Sequence, residues 1–327
     1  MTQPRWMLPE GMTEVLPPSS WALEGLRRKL LDHYRAAGYE LILTPLIEHL
    51  DSLLTGSAKD LEGQTFKLID PASGRLLGLR ADMTPQAARV AARHYAQRDI
   101  VRLCYLGTVL RATAPEPGHS RSPRQVGCEI FGEAGLVADI EAIDLMLQSL
   151  SIAGVRSVAL DLGHVGIYRA VVQQLALATD DEADLFALVQ RKSAPDLHQW
   201  MSAQGLAAPA RRALSGLLEL NGGADILDQA AIELATAGEG ALAALDQLRQ
   251  VCEVIAQRPQ PPEIHIDLAE LRGYRYKTGL VFAAFVADHG REIARGGRYD
   301  GVGAAFGEHR PATGFSADMN ELLRLGA

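Results

Sequence analysis

Arginines surround a loop in the middle of the chain and could bind an anion. Arg111, Arg121 and Arg124 lie at or near a loop rich in Pro, Gly and Ser that we predict over Ala114–Pro123. A guanidinium group pairs in a bidentate manner with a carboxylate or a phosphate, so three of them at one loop suggest an anion site. The same arginines would also suit a solvated hairpin tip, and this stretch alone leaves both interpretations open.

Four further stretches carry more polar side chains than packing requires: Leu79–Thr84 (LRADMT), Gln125–Glu129 (QVGCE), Arg272–Gly279 (RGYRYKTG) and Arg295–Asp300 (RGGRYD). Asp82 precedes the start of a predicted helix, where it could bind a ligand or complement the helix dipole. Gln125 and Glu129 lie four apart on a predicted strand, so they share a face and could accept hydrogen bonds from an amine or imidazole. The glycine pair at 296 and 297 permits a close backbone approach to a ligand, or equally a sharp turn. Together the stretches describe a pocket for a small zwitterion.

Generic catalytic and metal-binding signatures are missing from the sequence. It contains no P-loop, HExxH or GxSxG motif, and no GxGxxG motif that follows a strand and opens a helix. His164 and His265 alternate with apolar strand residues, which favours structural histidines over metal ligands. Cys104, Cys128 and Cys252 are widely spaced with no CxxC, so we expect buried free thiols and no disulfide framework. We therefore predict no bound metal and no cofactor.

Bulk properties restrict the class of protein. The 327 residues suit about two domains on the usual length prior. A content of 47% hydrophobic and 22% charged residues is that of an ordinary globular protein. The net charge of −8 excludes a broad basic surface for nucleic acid. With no signal-peptide pattern and no long apolar run, we expect a soluble, cytoplasmic protein without membrane contact.

A strand–loop–strand unit places the central arginines. Val101–Val109 and Gln125–Phe131 have β-branched and alternating residues, and the prolines between them forbid regular structure. We predict that Ser20 caps the first helix and that Thr84 caps the second, with Pro85 at its first position. The elements predicted before residue 165 are helices from Ser20 to Ala37, Thr84 to Gln97 and Asp139 to Ile152, and strands Tyr39–Thr44, Phe66–Ile69, Leu76–Leu79 and Ser157–Leu162.

The composition changes between Gly166 and Gln257, where Ala and Leu recur at helical spacing. This pattern predicts an insertion of several short helices. Three prolines between 259 and 262 then form a stiff boundary. Further strands are predicted at Glu263–Leu268, Gly279–Ala287, Arg291–Ala294 and Ala312–Ala317, followed by a terminal helix. The succession of hairpins and flanking helices indicates an α+β fold with an antiparallel sheet. We predict a core domain from residues 1–165 and 259–327 and a helical insertion at 166–258.

Four motifs, taken in order, resemble the catalytic domain of class II aminoacyl-tRNA synthetases, specifically histidyl-tRNA synthetase. They are LRADMT, VLR…RQVGCEIFGE, RGYRYKTG and GGRYDG…ATGF. The resemblance runs from Leu8 to the C-terminus, and Gly38–Glu48 (GYELILTPLIE) is similar to the family's dimer-forming first motif. It implies a class II synthetase-like antiparallel sheet flanked by helices, a homodimer and a pocket that binds histidine.

The resemblance assigns histidine-binding residues to seven positions: Asp82, Thr84, Arg111, Gln125, Glu129, Arg272 and Tyr276. It implies that Asp82 binds the amino group, that Arg272 faces the carboxylate and that Tyr276 lies near the imidazole. Two departures bear on this pocket. Asp82 is one methylene shorter than the family's glutamate, and Lys277 stands where the synthetases have a second tyrosine. A lysine near a protonatable imidazole should weaken binding, unless it points away or pairs with Glu129.

Other departures imply that the ATP side of the synthetase site is dismantled. Where the second motif has arginine, glutamate and arginine, this chain has Arg111, Thr113 and Ala114. Pro123 replaces the aromatic residue that stacks on adenine. Glu321 replaces the arginine of the third motif that grips triphosphate, and a carboxylate there would repel polyphosphate.

A chain that keeps the amino-acid pocket and lacks ATP-binding residues resembles the regulatory subunits of ATP phosphoribosyltransferase. In that family a synthetase-like dimer joins short catalytic subunits at the first step of histidine biosynthesis and confers feedback by histidine. The resemblance implies a non-catalytic chain that binds free L-histidine and forms a homodimer within a hetero-oligomer, a hetero-octamer by the same resemblance. It also implies neither an anticodon-binding domain nor a tRNA partner. The alternative is a synthetase paralogue that still adenylates an amino acid or modifies another acceptor, and ATP-dependent adenylate formation would distinguish the two.

Overall fold

The computed structural model describes residues 6–55, 59–114, 120–307 and 309–326. They divide into two compact units. Unit 1 is drawn from Met1–Ala134, Asp144–Arg156 and Asp300–Ala327, and unit 2 from Gly135–Ile143 and Ser157–Tyr299. Half of the predicted central loop, residues 115–119, lies outside the described residues. A separate helical domain at 166–258 stays a prediction.

The helices are α1 (Ser19–Ala36), α2 (Leu50–Leu54), α3 (Lys59–Gln64), α4 (Thr84–His94), α5 (Leu136–Ile152), α6 (Val165–Leu175), α7 (Thr179–Gln190), α8 (Ala194–Ala203), α9 (Ala208–Glu219), α10 (Ile226–Glu233), α11 (Glu239–Ala256) and α12 (Met319–Leu325). The strands are β1 (Glu40–Ile42), β2 (Ile47–His49), β3 (Lys67–Ile69), β4 (Leu76–Leu79), β5 (Val101–Thr108), β6 (Arg124–Phe131), β7 (Val158–His164), β8 (Asn221–Gly222), β9 (Glu263–Asp267), β10 (Leu280–Val286), β11 (Ala294–Arg298) and β12 (Ala312–Asp318). Short 3-10 turns occur at Ala235–Ala237 and Val302–Phe306. None of the helices among the described residues is long and apolar enough to cross a bilayer.

Unit 1 contains strands in the order β1, β5, β6 and β12, together with a separate three-stranded antiparallel sheet in the order β2, β4 and β3. The two central pairings, β5 with β6 and β6 with β12, are antiparallel as predicted, whereas β1 runs parallel to β5. Parallel neighbours need a long crossover, and the chain between β1 and β5 supplies one that includes α4. The strands predicted at Phe66–Ile69 and Leu76–Leu79 are observed as β3 and β4, and they pair as an antiparallel hairpin.

Helix α1 packs its apolar stripe into the core of unit 1. Leu23, Leu26, Leu30 and Tyr34 are buried, as their spacing predicted. The prediction that Ser20 caps this helix is wrong, because the helix begins at Ser19 and its N-cap position is Pro18. The chain leaves the helix at Gly38 with φ +87°, a left-handed conformation that glycine adopts without strain.

Unit 2 contains strands in the order β11, β10, β7, β9 and β8. Strands β7 and β9 are parallel, so the helical segment α6–α11 between them is a crossover connection. The sequence reasoning missed β8, a two-residue strand that pairs with β9. It also misplaced β11, which begins at Ala294 and includes the glycine pair at 296 and 297 instead of ending before it. Gly297 has φ +139°, and a side chain there would overlap the backbone of β10, so this glycine allows the two strands to pack closely.

Candidate functional site

Four of the predicted site residues meet in unit 1. Gln125 accepts a hydrogen bond from the backbone of Met83 at 2.9 Å and donates one to Asp82 Oδ1 at 3.0 Å. The hydroxyl of Thr84 donates to Glu129 Oε1 at 2.8 Å, and the hydroxyl of Tyr105 donates to the same oxygen at 2.9 Å. We call Asp82, Thr84, Tyr105, Gln125 and Glu129 the acidic network.

Strand register and two glycines create the room for this network. Gln125 and Glu129 lie on one face of β6, and Tyr105 of β5 stands opposite Gly127. A Cβ at Gly127 would approach the Tyr105 ring and hydroxyl far inside van der Waals contact. Gly314 of β12 stands opposite Glu129, and a Cβ there would overlap Glu129 Oε2. Sequence reasoning missed Tyr105, although its place on a strand opposite a glycine is the signal that could have identified it.

Thr84 has a different local role from the predicted one. It is the first residue of α4, the N-cap position is Met83, and no side chain caps the helix from there. Asp82 Oδ1 accepts the Thr84 backbone N–H at 2.8 Å, so the aspartate satisfies one of the unpaired N–H groups of the first turn. This contact leaves the Thr84 hydroxyl to bind Glu129.

The acidic network concentrates negative charge in a poorly solvated place. Glu129 is 1% exposed, and Asp82 is half-buried. Burial, and next the charges of Glu129 and Asp82, hold the pKa of Tyr105 well above its usual value, so its hydroxyl stays protonated and donates. Hydrogen bonds to ionised groups are about twice as strong as neutral ones. The arrangement is suited to an amine or an imidazole that donates hydrogen bonds.

The side chains of Arg121 and Arg124 contact the protein's own acceptors. Arg121 donates to the Arg111 and Glu10 carbonyls at 3.0 Å each, and Arg124 donates to Asn320 Oδ1 at 3.0 Å. The backbone of Arg111 forms an isolated bridge with Thr65. Arg124 is half-buried in unit 1, and both interpretations of the loop, an anion site and a solvated hairpin tip, stay predictions.

Carboxylates also lie near these arginines in unit 1. The Asp318 side chain accepts the backbone N–H of Arg124 at 3.1 Å and that of Asn320 at 3.0 Å. Burial raises the pKa of Asp318, while these two N–H groups and the Arg111 charge act in the opposite direction. On α12, Glu321 pairs with Arg324 at 2.6 Å.

The remaining two predicted residues belong to unit 2, where Arg272 is held by acidic side chains. Its Nε and Nη2 donate to Glu270, and its Nη1 donates to Glu292 at 3.1 Å. The guanidinium also lies 5.5 Å from the centroid of the Phe285 ring. The Arg272 guanidinium is therefore held in place by two carboxylates of the protein.

Tyr276 is 37% exposed, whereas its neighbour Lys277 is buried. Lys277 Nζ donates to the Gly297 carbonyl at 3.0 Å. It lies 5.5 Å from the Tyr276 ring centroid and 5.7 Å from that of Tyr299, within the range of cation–π attraction. Within unit 2 the lysine is thus directed toward β11 and two aromatic rings.

Two predicted structural features are observed. Cys104, Cys128 and Cys252 are free and buried. His164 is buried against Gln247, and burial lowers the pKa of its imidazole to about 4. In the part of the chain that the structure describes, no three His, Cys, Asp or Glu side chains are grouped to hold a metal ion.

The sequence of the chain is similar to those of known proteins. The profile of the family described as histidyl-tRNA synthetase matches residues 11–322. An ATP phosphoribosyltransferase regulatory subunit from Thioalkalivibrio sulfidiphilus is 50% identical over 322 residues, which cover 98% of this chain and 81% of the relative.

Two solved structures are similar in fold. An ATP phosphoribosyltransferase regulatory subunit/histidyl-tRNA synthetase from Bacillus halodurans has a TM-score of 0.88 at 28% identity, covering 99% of this chain and 84% of that one. An ATP phosphoribosyl transferase (HisG:HisZ) complex from Thermotoga maritima has a TM-score of 0.70 at 16% identity, covering 94% of this chain and 98% of that one, which shows the fold alone.

Proposed function

The chain belongs to the family of ATP phosphoribosyltransferase regulatory subunits, within the wider histidyl-tRNA synthetase-like group, and we propose that it is a non-catalytic histidine sensor. It acts in the first step of histidine biosynthesis as the regulatory subunit of ATP phosphoribosyltransferase. A biosynthetic role of this kind places the protein, in our proposal, in the cytoplasm.

The observation that carries the sensing role is the acidic network. The Asp82 carboxylate is oriented by Gln125 and Thr84, and the Glu129 carboxylate by Thr84 and Tyr105. Free histidine offers an ammonium group and an imidazole N–H, the donors that two preoriented carboxylates would bind. Arg272 is the proposed partner of the histidine carboxylate, which has to share the guanidinium with Glu270 and Glu292.

The contacts around Glu321 support a non-catalytic chain. Glu321, which the resemblance aligns with the arginine that grips triphosphate, binds Arg324, and nearby in the sequence Asn320 accepts from Arg124. The carboxylates of Asp318 and Glu321 add negative charge that opposes a polyphosphate. We propose that ATP does not bind in the synthetase mode.

We propose that the chain dimerises through the segment around β1 and β2. Leu41, Leu43 and Ile47 are exposed there, with 45%, 79% and 43% relative accessibility. Clustered exposed apolar residues at a sheet edge are typical of an interface. The dimer would join short catalytic subunits in a hetero-octamer.

Reconstitution with a short-form ATP phosphoribosyltransferase chain tests the function. The catalytic chain alone should have little activity, addition of this protein should raise it, and histidine should then inhibit the mixture. A catalytic chain that is equally active and equally inhibited by histidine without this protein would contradict the regulatory role.

Histidine binding and ATP binding can be tested on the isolated protein. Histidine at a hundredfold excess over its Kd should stabilise the fold by about 2.7 kcal/mol, which a thermal melt detects. Histidine-dependent exchange of pyrophosphate into ATP should be at background. Exchange above background that disappears in Arg111→Ala would support the adenylating alternative instead.

A further inference from the structure

A compact turn in unit 2 carries both Arg272 and Tyr276. The Tyr274 N–H binds the Leu271 carbonyl at 2.9 Å, and the Tyr276 and Lys277 N–H groups bind the Gly273 carbonyl at 2.9 and 2.8 Å. Gly273 has φ +73°, so the turn needs the left-handed conformation at that residue. We call residues 271–277 the sensor turn.

Arg169 of helix α6 binds this turn at two points. Its Nη2 donates to the Tyr274 carbonyl at 3.0 Å and to the Lys277 carbonyl at 2.6 Å. Its guanidinium lies 5.0 Å from the centroid of the Tyr274 ring. One side chain of the helical segment therefore fixes the backbone on both sides of Tyr276.

The Tyr274 ring extends this attachment to a second helix. It makes an edge contact with Tyr168 of α6 at 5.1 Å and a tilted contact with Phe186 of α7 at 5.2 Å. Burial raises the pKa of Tyr274, with the Arg169 charge opposing and the Glu182 charge of α7 adding to the shift. Aromatic pairs of this kind stabilise the packing beyond the effect of burial alone.

The far end of the same segment is attached to α6 as well. The N–H of Val165, the first residue of α6, binds the Gly279 carbonyl at 3.1 Å. Arg169 stands one turn further along the helix, on the face that meets the sensor turn. The helix and the segment from 271 to 279 are consequently linked at both ends.

We propose that Arg169 is a positioning residue for ligand binding, and that through it helices α6 and α7 set the affinity of the sensor turn for its ligand. This inference rests on the proposed histidine site. A turn that is already ordered before binding loses less conformational entropy when the ligand arrives, so affinity depends on the anchor. Arg169 itself acts only through the backbone and ring of Tyr274 and the Lys277 carbonyl.

Calorimetric titration of L-histidine into four variants tests the proposal. Arg169→Ala should raise the Kd about tenfold, because the turn loses two hydrogen bonds and a stacked guanidinium. Arg169→Lys keeps a donor for one carbonyl and loses the planar stack, so its Kd should lie between those of Arg169→Ala and the wild type. Arg249→Ala is the matched control, since Arg249 of α11 pairs with exposed Asp228 in the same helical segment. Arg272→Ala tests the proposed function itself.

Three readouts separate positioning from a merely structural role. Activation of the catalytic subunit should be unchanged in Arg169→Ala and Arg169→Lys while inhibition by histidine shifts to higher concentration. Backbone amides of residues 272–278 should exchange hydrogen faster in Arg169→Ala, and no faster in Arg249→Ala. If Arg169→Ala fails to fold, Arg169→Lys decides by the same three measurements.

Each contrary result has a distinct meaning. Wild-type affinity in Arg169→Ala together with lost binding in Arg272→Ala overturns the positioning role and leaves the histidine site standing. Wild-type affinity in Arg272→Ala overturns the proposed site. A loss of activation in proportion to the loss of histidine binding shows that Arg169 only stabilises unit 2, which also overturns the inference.

Discussion

Asp82→Asn separates the charge of the proposed site from its hydrogen-bond geometry. Asp82 Oδ1 accepts from the Thr84 N–H at 2.8 Å and from Gln125 Nε2 at 3.0 Å. An asparagine carbonyl oxygen can accept both bonds from the same position, so the start of α4 and the orientation of Gln125 are retained. The substitution removes the negative charge that would bind the ligand's ammonium group.

The expected magnitudes follow from those contacts. A hydrogen bond to a charged group contributes about 1.5–3 kcal/mol, compared with about 1 kcal/mol for a neutral one. The difference of about 0.5–2 kcal/mol corresponds to a rise of about 2- to 30-fold in the histidine Kd. The free energy of unfolding without ligand should fall by less in Asp82→Asn than in Asp82→Ala, because both intramolecular bonds persist in a weaker, neutral form. Asp82→Ala, in contrast, loses both bonds and should cost stability as well as affinity.

Titration calorimetry gives the Kd, and urea unfolding without histidine gives the stability. Activity of the reconstituted complex with increasing histidine provides the functional readout, and both variants should still activate the catalytic subunit while resisting inhibition. The reasoning is refuted if Asp82→Asn binds histidine with wild-type affinity, since the carboxylate would then not contact the ligand. It is also refuted if the asparagine variant is as unstable as the alanine variant, since the shared geometry would then be wrong.

Three further predictions concern the stability of unit 2. Asp139→Ala should lower the free energy of unfolding by about 3–5 kcal/mol, because the buried Arg298 guanidinium loses the carboxylate that binds it at 2.8 and 3.0 Å. Asp228→Ala, whose side chain is 85% exposed, should cost no more than about 1 kcal/mol in the same urea titration, and equal losses would contradict the argument. Tyr168→Phe should leave the melting temperature unchanged or raise it, because the hydroxyl is buried with no hydrogen-bond partner, and a marked drop would show that it has one. Burial lowers the pKa of His164 to about 4 from an unfolded value near 6.5. The stability that neutral His164 contributes is therefore complete above pH 6.5 and is lost as the pH falls toward 4. The loss is about 3 kcal/mol at most. Unfolding measured across pH 4–7 in the wild type and in His164→Gln should show this loss only in the wild type.

Regular patterns in the sequence were enough to place most elements. The stripe of Leu23, Leu26, Leu30 and Tyr34 specified α1, and the alternation around Val101 and Val126 specified the central antiparallel pair. Such patterns predict elements because the period of a helix or a strand fixes which of its residues share the buried face. The motif order likewise identified the family, which the comparisons confirm.

Strand partners and cap positions were less predictable. The sequence indicated hairpins, but not that β1 runs parallel to β5 or that β7 runs parallel to β9. Thr84 had the sequence features of a helix cap, yet its hydroxyl binds Glu129, which lies 45 residues away in the chain. A distant carboxylate in the interior outweighs a local N–H as a partner, because a buried charge without hydrogen bonds is costly.

The sequence by itself determined which classes of side chain are available: carboxylates at 82 and 129, an arginine at 272, and glycines at 127 and 314 where neighbouring side chains come close. Only the tertiary structure decided their partners. Tyr105 belongs to the acidic network because Gly127 lies opposite it and leaves room for its ring. Arg169 has no signal in the sequence, and it contacts the sensor turn because helix α6 starts beside Gly279. Spacing along one element is fixed by backbone geometry, whereas contacts between elements depend on register and packing, which arise only when the whole core is assembled.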